Sequence, residues 1–224
     1  MLKTDRLMLR TFQAADASTL ARLAGKRRIA DTTISVPHPY TVQQARQNIR
    51  RFQRDWRLRT GLHLAIGHRD SPNPLFGYMA LRDIEVEHGI AELSFWIDEE
   101  QSGHGYITEA GTAVLQFAFK ELRLNRVCAY HMVRNSASGR VLGKIGMRQE
   151  GCLRQRCRKW DIFEDVLLWA ILRADHQRLA PVAGIAEDRE STSVPHQTST
   201  HRVGNVSLPV DRVVAKSGGS PSTP

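Results

Sequence analysis

The order of periodicities along the chain predicts an α+β (α/β) domain, with elements in the order β-α-α-β-β-β-α-β-α-β-β. Three observations carry this. Residues 92–98 alternate in period two, as a half-buried strand does. A glycine-spaced loop, Gln-Ser-Gly-His-Gly-Tyr-Ile-Thr-Glu at 101–109, follows directly. Ala110, Val114, Phe117, Ala118 and Leu122 then recur at helical spacing and make one apolar face.

The elements follow in order. Residues 5–11 read as the first strand, with Leu7 and Leu9 on one face and Arg6, Met8 and Arg10 on the other. Leu20, Ala21, Leu23 and Ala24 mark a short helix behind Asp16, and Pro37 and Pro39 break the chain after it. Thr41 and Gln44 have the spacing of a capping box. Ala45, Ile49, Phe52 and Trp56 then form a stripe that reads as core. Residues 62–66 are a strand, 70–74 a turn and 76–86 the returning strand. The remainder alternates: strand 91–97, helix 108–122, strand 126–133, helix 136–145, and strands near 149–158 and 165–172. Gly146 stops the fourth helix, where a left-handed residue is favoured.

Beyond about residue 178 the composition changes. Residues 181–224 contain no aromatic residue and are rich in Ser, Thr, Pro, Val and Gly. Such a segment cannot bury enough to offset its ordering entropy. Residues 1–178 are therefore expected to form one domain and residues 179–224 a disordered tail.

Three cysteines, Cys128, Cys152 and Cys157, form no Cys-x-x-Cys pair and cannot all pair off, which suits a reduced interior. The N-terminus has no apolar signal core and no apolar run approaches a membrane span. A soluble, cytoplasmic protein is expected, with no membrane partner. His63, His68, His88 and His131 show no paired metal spacing, so no metal is assigned. The formal charge is +9, and Lys and Arg balance Asp and Glu in residues 181–224, so the excess lies upstream. Basic residues cluster at 26–28, from Arg46 to Arg59, and at Arg154, Arg156, Arg158 and Lys159. These are either solvated faces or an attraction for anions: cofactor phosphates, an acidic substrate or a ribonucleoprotein. No nucleic-acid motif accompanies the charge, so nucleic acid is not the expected partner.

The 101–109 loop sits between a strand and a helix start, where backbone N–H groups lack partners and the helix dipole favours an anion. It is neither the full Gly-x-Gly-x-x-Gly fingerprint nor a Gly-x-x-x-x-Gly-Lys loop. The longer stretch from Glu92 to Ala110, however, resembles the acetyl-CoA signature of the GNAT superfamily of N-acetyltransferases, closest to its RimJ/RimL-like branch. Thr4–Arg10 looks like that branch's first strand, Asn135–Met147 like its second cofactor motif and Asp165–Arg173 like its closing strand. The resemblance spans roughly residues 3 to 176.

The resemblance implies a mixed central sheet of about seven strands, splayed between the fourth and fifth, with about four helices. It also implies acetyl transfer from acetyl-CoA, as co-substrate, to a primary amine: a protein N-terminal α-amine, such as that of a ribosomal protein, or a small-molecule amine. An α-amine, with a pKa of about 8, reaches its neutral form more easily than a lysine at about 10.4. A homodimer is compatible with this reading. The alternative is a catalytically silent module of the same fold, binding acyl-CoA or associated with the ribosome.

Carried over residue by residue, Gly103, His104, Gly105, Tyr106, Ile107 and Thr108 form the pyrophosphate loop. Phe95, Trp96 and Ile97 offer their backbone to the pantetheine arm, and an N–H near Phe95 or Trp96 stabilises the oxyanion. Asn135 is a cofactor-arm ligand, or simply a helix cap. Glu92 is the leading base, or else a structural or substrate-orienting carboxylate, with Glu85 and Glu87 behind it. Glu109 instead suits the first helical turn through its dipole. Where many members carry a tyrosine acid, this chain has Leu142, so Ser138 takes that role, or merely caps the helix start. His104 stands where Lys or Arg is common, which makes pyrophosphate binding pH-sensitive. Glu100, Ile107 and Met147 also depart from the usual pattern. Substrate identity is expected to lie in the loop between the first two helices and in the 154–163 hairpin.

Overall fold

Residues of the first half alternate or recur as the sequence predicts, and the computed structural model describes residues 1–179 of the chain. The strands are β1 (Leu2–Lys3), β2 (Leu7–Thr11), β3 (Leu62–His68), β4 (Gly77–Glu85), β5 (Ile90–Ile97), β6 (Arg126–Met132), β7 (Arg148–Lys159) and β8 (Ile162–Leu172). The helices are α1 (Ala17–Ala24), α2 (Arg27–Thr32), α3 (Val42–Arg57), α4 (Tyr106–Lys120), α5 (Ser136–Lys144) and α6 (Arg173–Leu179). The expected disordered tail lies, from residue 180 on, outside the described residues.

The eight strands form one sheet in the order β1-β2-β3-β4-β5-β6-β8-β7. Every pairing is antiparallel except β5 with β6. That parallel pairing covers only Ile90↔Arg126 to Leu93↔Ala129. Past Leu93 the two strands part, while β6 stays paired to β8 as far as Met132↔Val166. The expected splay is therefore present; with the extra strand β1 counted, it falls between β5 and β6. A crevice beside strand ends in a sheet of this kind is where ligands bind.

Three elements escape the sequence pattern. β1 has two residues, too few for a period to register. The six-residue α2 buries only Ile29 and Ala30, and α6 is largely basic and polar. Strand β8 starts three residues earlier than expected because it meets β7 in a tight hairpin. Lys159 pairs with Ile162, and both intervening residues, Trp160 and Asp161, have positive φ (50° and 64°). That is the geometry of a two-residue turn matched to strand twist, reached here without glycine.

The core has two parts. One joins Leu81 and Leu93 of the sheet to Ala110, Val114 and Leu115 of α4 and Leu142 of α5. The other joins Phe12, Tyr78 and Trp96 to Leu20 of α1 and Ala45, Ile49 and Phe52 of α3. Fully burying one such Leu, Ile or Phe stabilises by roughly 1.5–3 kcal/mol. The Thr41 capping box forms: Thr41 Oγ1 accepts from the Gln44 N–H at 3.2 Å, and the Gln44 side chain accepts from the Thr41 N–H at 2.7 Å. Trp56 does not join the stripe as expected. It is 41 % exposed, because Phe12, Phe52 and Tyr78 close the core one turn earlier. Arg10 is buried rather than solvated, since it donates twice to Asp16, at 2.8 Å each.

Helix α5 ends as Gly146 predicts. Gly146 has φ +87°, its N–H donates to Gly143 O at 3.1 Å, and the Met147 N–H donates to Leu142 O at 3.0 Å. These two bonds make a Schellman end, which aims the chain back into β7.

Candidate active site

The loop after β5 turns through a short 3-10 segment, Glu99–Gln101, and delivers Gly103 (φ +85°) and Gly105 (φ +78°) to the start of α4. Only glycine adopts such dihedrals without strain. Gly105 is the N-cap and supplies no side chain, so the N–H groups of the first turn, from Tyr106, Ile107 and Thr108, are left for an outside partner. A Cβ on Gly103 would meet nothing within 4 Å, and one on Gly105 only Arg6 Nη2 at 3.7 Å. The backbone thus faces open space at the positive end of a helix, which fits a pyrophosphate.

Arg6 adds a cation to this loop. Its Nη1 donates to the His104 carbonyl at 3.0 Å and its guanidinium lies 4.7 Å from the centre of the Tyr106 ring. Its Nε donates to Glu109 at 2.7 Å, and Glu109 also accepts from Thr4 Oγ1 at 2.5 Å and from the Arg6 N–H at 3.0 Å. Burial pushes the Glu109 carboxyl up, but the Thr4 and Arg6 hydrogen bonds outweigh it and hold it below the usual range. Glu109 therefore does more than favour a helix dipole: it fixes Arg6.

Along β5 the Asp98 N–H donates to Phe76 O on the β4 side at 2.8 Å. The register is regular from Gly77↔Ile97 to Arg82↔Glu92. Alternation in an antiparallel pair then turns the Trp96 backbone toward β4 and the Phe95 and Ile97 backbone toward the crevice. Of Phe95 and Trp96, only Phe95 offers its N–H there. The Trp96 side chain is buried against Tyr78, ring centres 5.9 Å apart and nearly parallel.

Asn135 caps α5. Its Oδ1 accepts from the Ser138 N–H at 3.3 Å, and its Nδ2 donates to Thr32 O at 2.9 Å and to Ser138 Oγ at 3.0 Å. These partners fix which end of the amide is nitrogen. Because Asn135 donates to Ser138 Oγ, the serine hydroxyl proton is free to point elsewhere.

Two cavities meet at this point. The first, about 330 Å³, runs from Lys26 and Arg28 past the 103–108 loop to Asn135, Ser138 and Lys144. The second, about 340 Å³, lies on the other side and holds Glu92. Both are lined by Thr32, Thr33, Phe95, Trp96 and Ser138. Glu92 is 23 % exposed and 3.4 Å from Arg82. Burial pushes its carboxyl above the usual range, against the pull of Arg82. Glu85 lines a third, outer cavity, and exposed Glu87 lines none of the three.

Sequence reasoning missed several lining groups. Tyr130, His131 and Cys157 line the Glu92 cavity but come from β6 and β7, whose sequences carry no local motif. The two segments expected to set specificity touch each other over it. Lys159 Nζ donates to Val36 O at 2.8 Å, and Trp160 Nε1 donates to Asp31 Oδ1 at 2.7 Å. Among the described residues no helix is long and apolar enough to cross a membrane, and no group of three or more His, Cys, Asp or Glu is placed to hold a metal.

Comparison with known proteins agrees with this arrangement. Residues 6–148 match the family model for the acetyltransferase (GNAT) domain. The probable N-acetyltransferase YjcK of Bacillus subtilis (strain 168) is 30% identical over 184 residues, covering 80% of this chain and all of that protein. The ribosomal-protein-serine acetyltransferase of Escherichia coli (strain K12) is 32% identical over 96 residues, 43% of this chain and 54% of that protein. The solved structure of Mycobacterium smegmatis RimJ in complex with CoA-disulfide superposes with a TM-score of 0.69 at 21% identity, covering 77% and 87% of the two chains. This chain belongs to the GNAT family of acetyltransferases.

Proposed function

We propose that this acetyltransferase moves the acetyl group of acetyl-CoA onto a primary amine, either a protein N-terminal α-amine or a small-molecule amine. The observation that carries the reading is the meeting of the loop-bearing groove and the Glu92 cavity at Phe95 and Ser138. A cofactor entering from one side and an amine from the other are thereby brought face to face.

The 103–108 loop and Arg6 hold the pyrophosphate, and the open edge of β5 pairs with the pantetheine arm as an added strand would. Acetyl-CoA supplies the thioester to be broken. Glu92 takes a proton from the amine, directly or through a water, and its raised pKa suits it to hold that proton. The N–C bond forms as the C–S bond breaks. The Phe95 N–H points into the crevice, where it can stabilise charge on the carbonyl oxygen. Ser138, its oxygen held by Asn135, donates a hydrogen bond to the departing thiolate and relays to it a proton drawn from water, so that the hydroxyl is restored. Asn135 is thus read chiefly as the group that positions Ser138. The E. coli relative's name supports a ribosomal protein among the acceptors.

Incubation with acetyl-CoA and a panel of primary amines, with release of free CoA thiol as the readout, tests this. Amine-dependent thiol release is expected. Tight acetyl-CoA binding with no release on any amine would favour the silent acyl-CoA-binding module instead.

A further inference from the structure

The Glu92 cavity has an unusual charge for a site that receives an amine. Arg51 from α3, Arg82 from β4 and Arg156 from β7 all line it, and Glu92 is its one acidic residue. Three separate elements, 105 positions apart at the extremes of the sequence (156 − 51), thus place guanidinium groups around one space. Arg82 is shared between Glu92 at 3.4 Å and Asp83 at 3.7 Å. Among the described residues no ion pair uses Arg51 or Arg156. The acids of the outer cavity are already engaged or exposed: Asp55 faces His63 at 3.3 Å, Asp83 pairs with Arg82, and Glu85 is exposed.

We infer that the acceptor is an amine carrying a carboxylate, and that Arg51, Arg82 and Arg156 recognise it. The inference rests on reading this cavity as the acceptor site. A guanidinium matches a carboxylate with two parallel N–H donors, which fixes the orientation of the bound group as well as attracting it. The same cations lower the pKa of an ammonium beside them and so favour the neutral amine that attacks. A polycation, by contrast, would meet three like charges and a single carboxylate. The carboxylate has two natural sources: the α-carboxylate of a free amino acid, or an acidic side chain beside a protein N-terminus.

The test uses the full chain, acetyl-CoA and matched acceptors: C-terminally amidated tripeptides Ser-Asp-Ala and Ser-Asn-Ala, free aspartate and asparagine amide, and spermidine. The expected result is a kcat/KM at least about tenfold higher for the carboxylate member of a pair, the factor one charge-assisted hydrogen bond supplies. Whether the peptide or the free amino acid shows that ratio identifies the source. Arg51→Gln and Arg156→Gln, each checked for an unchanged Tm, should move the ratio toward one. Equal rates within both pairs, or spermidine as the best acceptor, would overturn the inference while leaving acetyl transfer intact. If no acceptor is turned over, calorimetry with N-acetylated Ser-Asp-Ala and Ser-Asn-Ala amides in the presence of CoA decides. Preference for the acidic peptide would uphold charge recognition and remove acetyl transfer; equal affinity would overturn the inference.

Discussion

Arg6 and Glu109, 103 positions apart, form an ion pair with Nη2 and Oε2 2.6 Å apart, and the same guanidinium holds the His104 carbonyl. The first strand's entry is thereby locked to the start of α4, and a cation is fixed beside the glycine loop. Arg6→Ala should raise the Kd for acetyl-CoA about tenfold, as read by calorimetry. Its effect on Tm should be small, because half of the Arg6 side chain faces water. The pH dependence has a definite sign. The Glu109 carboxyl is held below its ordinary range, so its contribution is present above the unfolded carboxylate pKa and lost as pH falls through the folded one. Wild-type and Glu109→Gln melting curves should therefore converge in acid.

Gly103 and Gly105 differ from most of the described glycines in combining a left-handed φ with little or nothing close to a Cβ: no atom within 4 Å for Gly103 and only Arg6 Nη2 at 3.7 Å for Gly105. Gly105→Val combines an unfavourable φ, costing roughly 1–2 kcal/mol, with a side chain in the path of the pyrophosphate as proposed. The expected outcome is near-complete loss of acetyl-CoA binding in a protein that still melts cooperatively. Unchanged affinity in that variant would remove the loop from the mechanism.

Ser138 and Asn135 are separable. Ser138→Ala keeps the cap, since Asn135 Oδ1 bonds to the residue 138 N–H and not to its hydroxyl. It should lower kcat with little change in Tm. Asn135→Ala removes both the cap and the positioning of the hydroxyl. It should cost about 0.5–2 kcal/mol of stability as well as activity. Equal stability losses in the two variants would show that Ser138 is only part of the cap.

The parts of this protein legible in its sequence are those written locally. The period-two run of β5, the glycines after it and the stripe of α4 lie within one short stretch, so backbone chemistry alone announces a strand, a turn and an anion-ready helix start. Gly146 and the Thr41–Gln44 box are legible for the same reason. What the sequence hides is long-range pairing. Nothing near Arg6 says that it meets Glu109, and nothing near Arg51 says that it shares a cavity with Arg156. Trp56 shows the converse limit: its spacing marks it as core, yet Phe12, just past the end of β2, and Tyr78 of β4 decide where the core ends. Even the choice between Phe95 and Trp96 as the crevice donor needs the pairing register, which puts alternate N–H groups on opposite edges.

Glu92 tests the account most directly, because the proposed reaction makes it the group that takes the amine's proton. With an α-amine acceptor, wild-type kcat/KM should rise with pH through two limbs. One belongs to the amine, near pKa 8. The other lies above the ordinary carboxylate range, because burial has raised the Glu92 pKa. Glu92→Gln should abolish the lower limb and reduce kcat on the order of 10²-fold or more, with acetyl-CoA affinity unchanged. Tm near neutral pH should hold or rise: a carboxyl with a raised folded pKa stabilises the fold when protonated, and that contribution is lost as pH rises through it. A folded Glu92→Gln variant with the wild-type rate and an unaltered pH profile at neutral and acid pH would contradict the account.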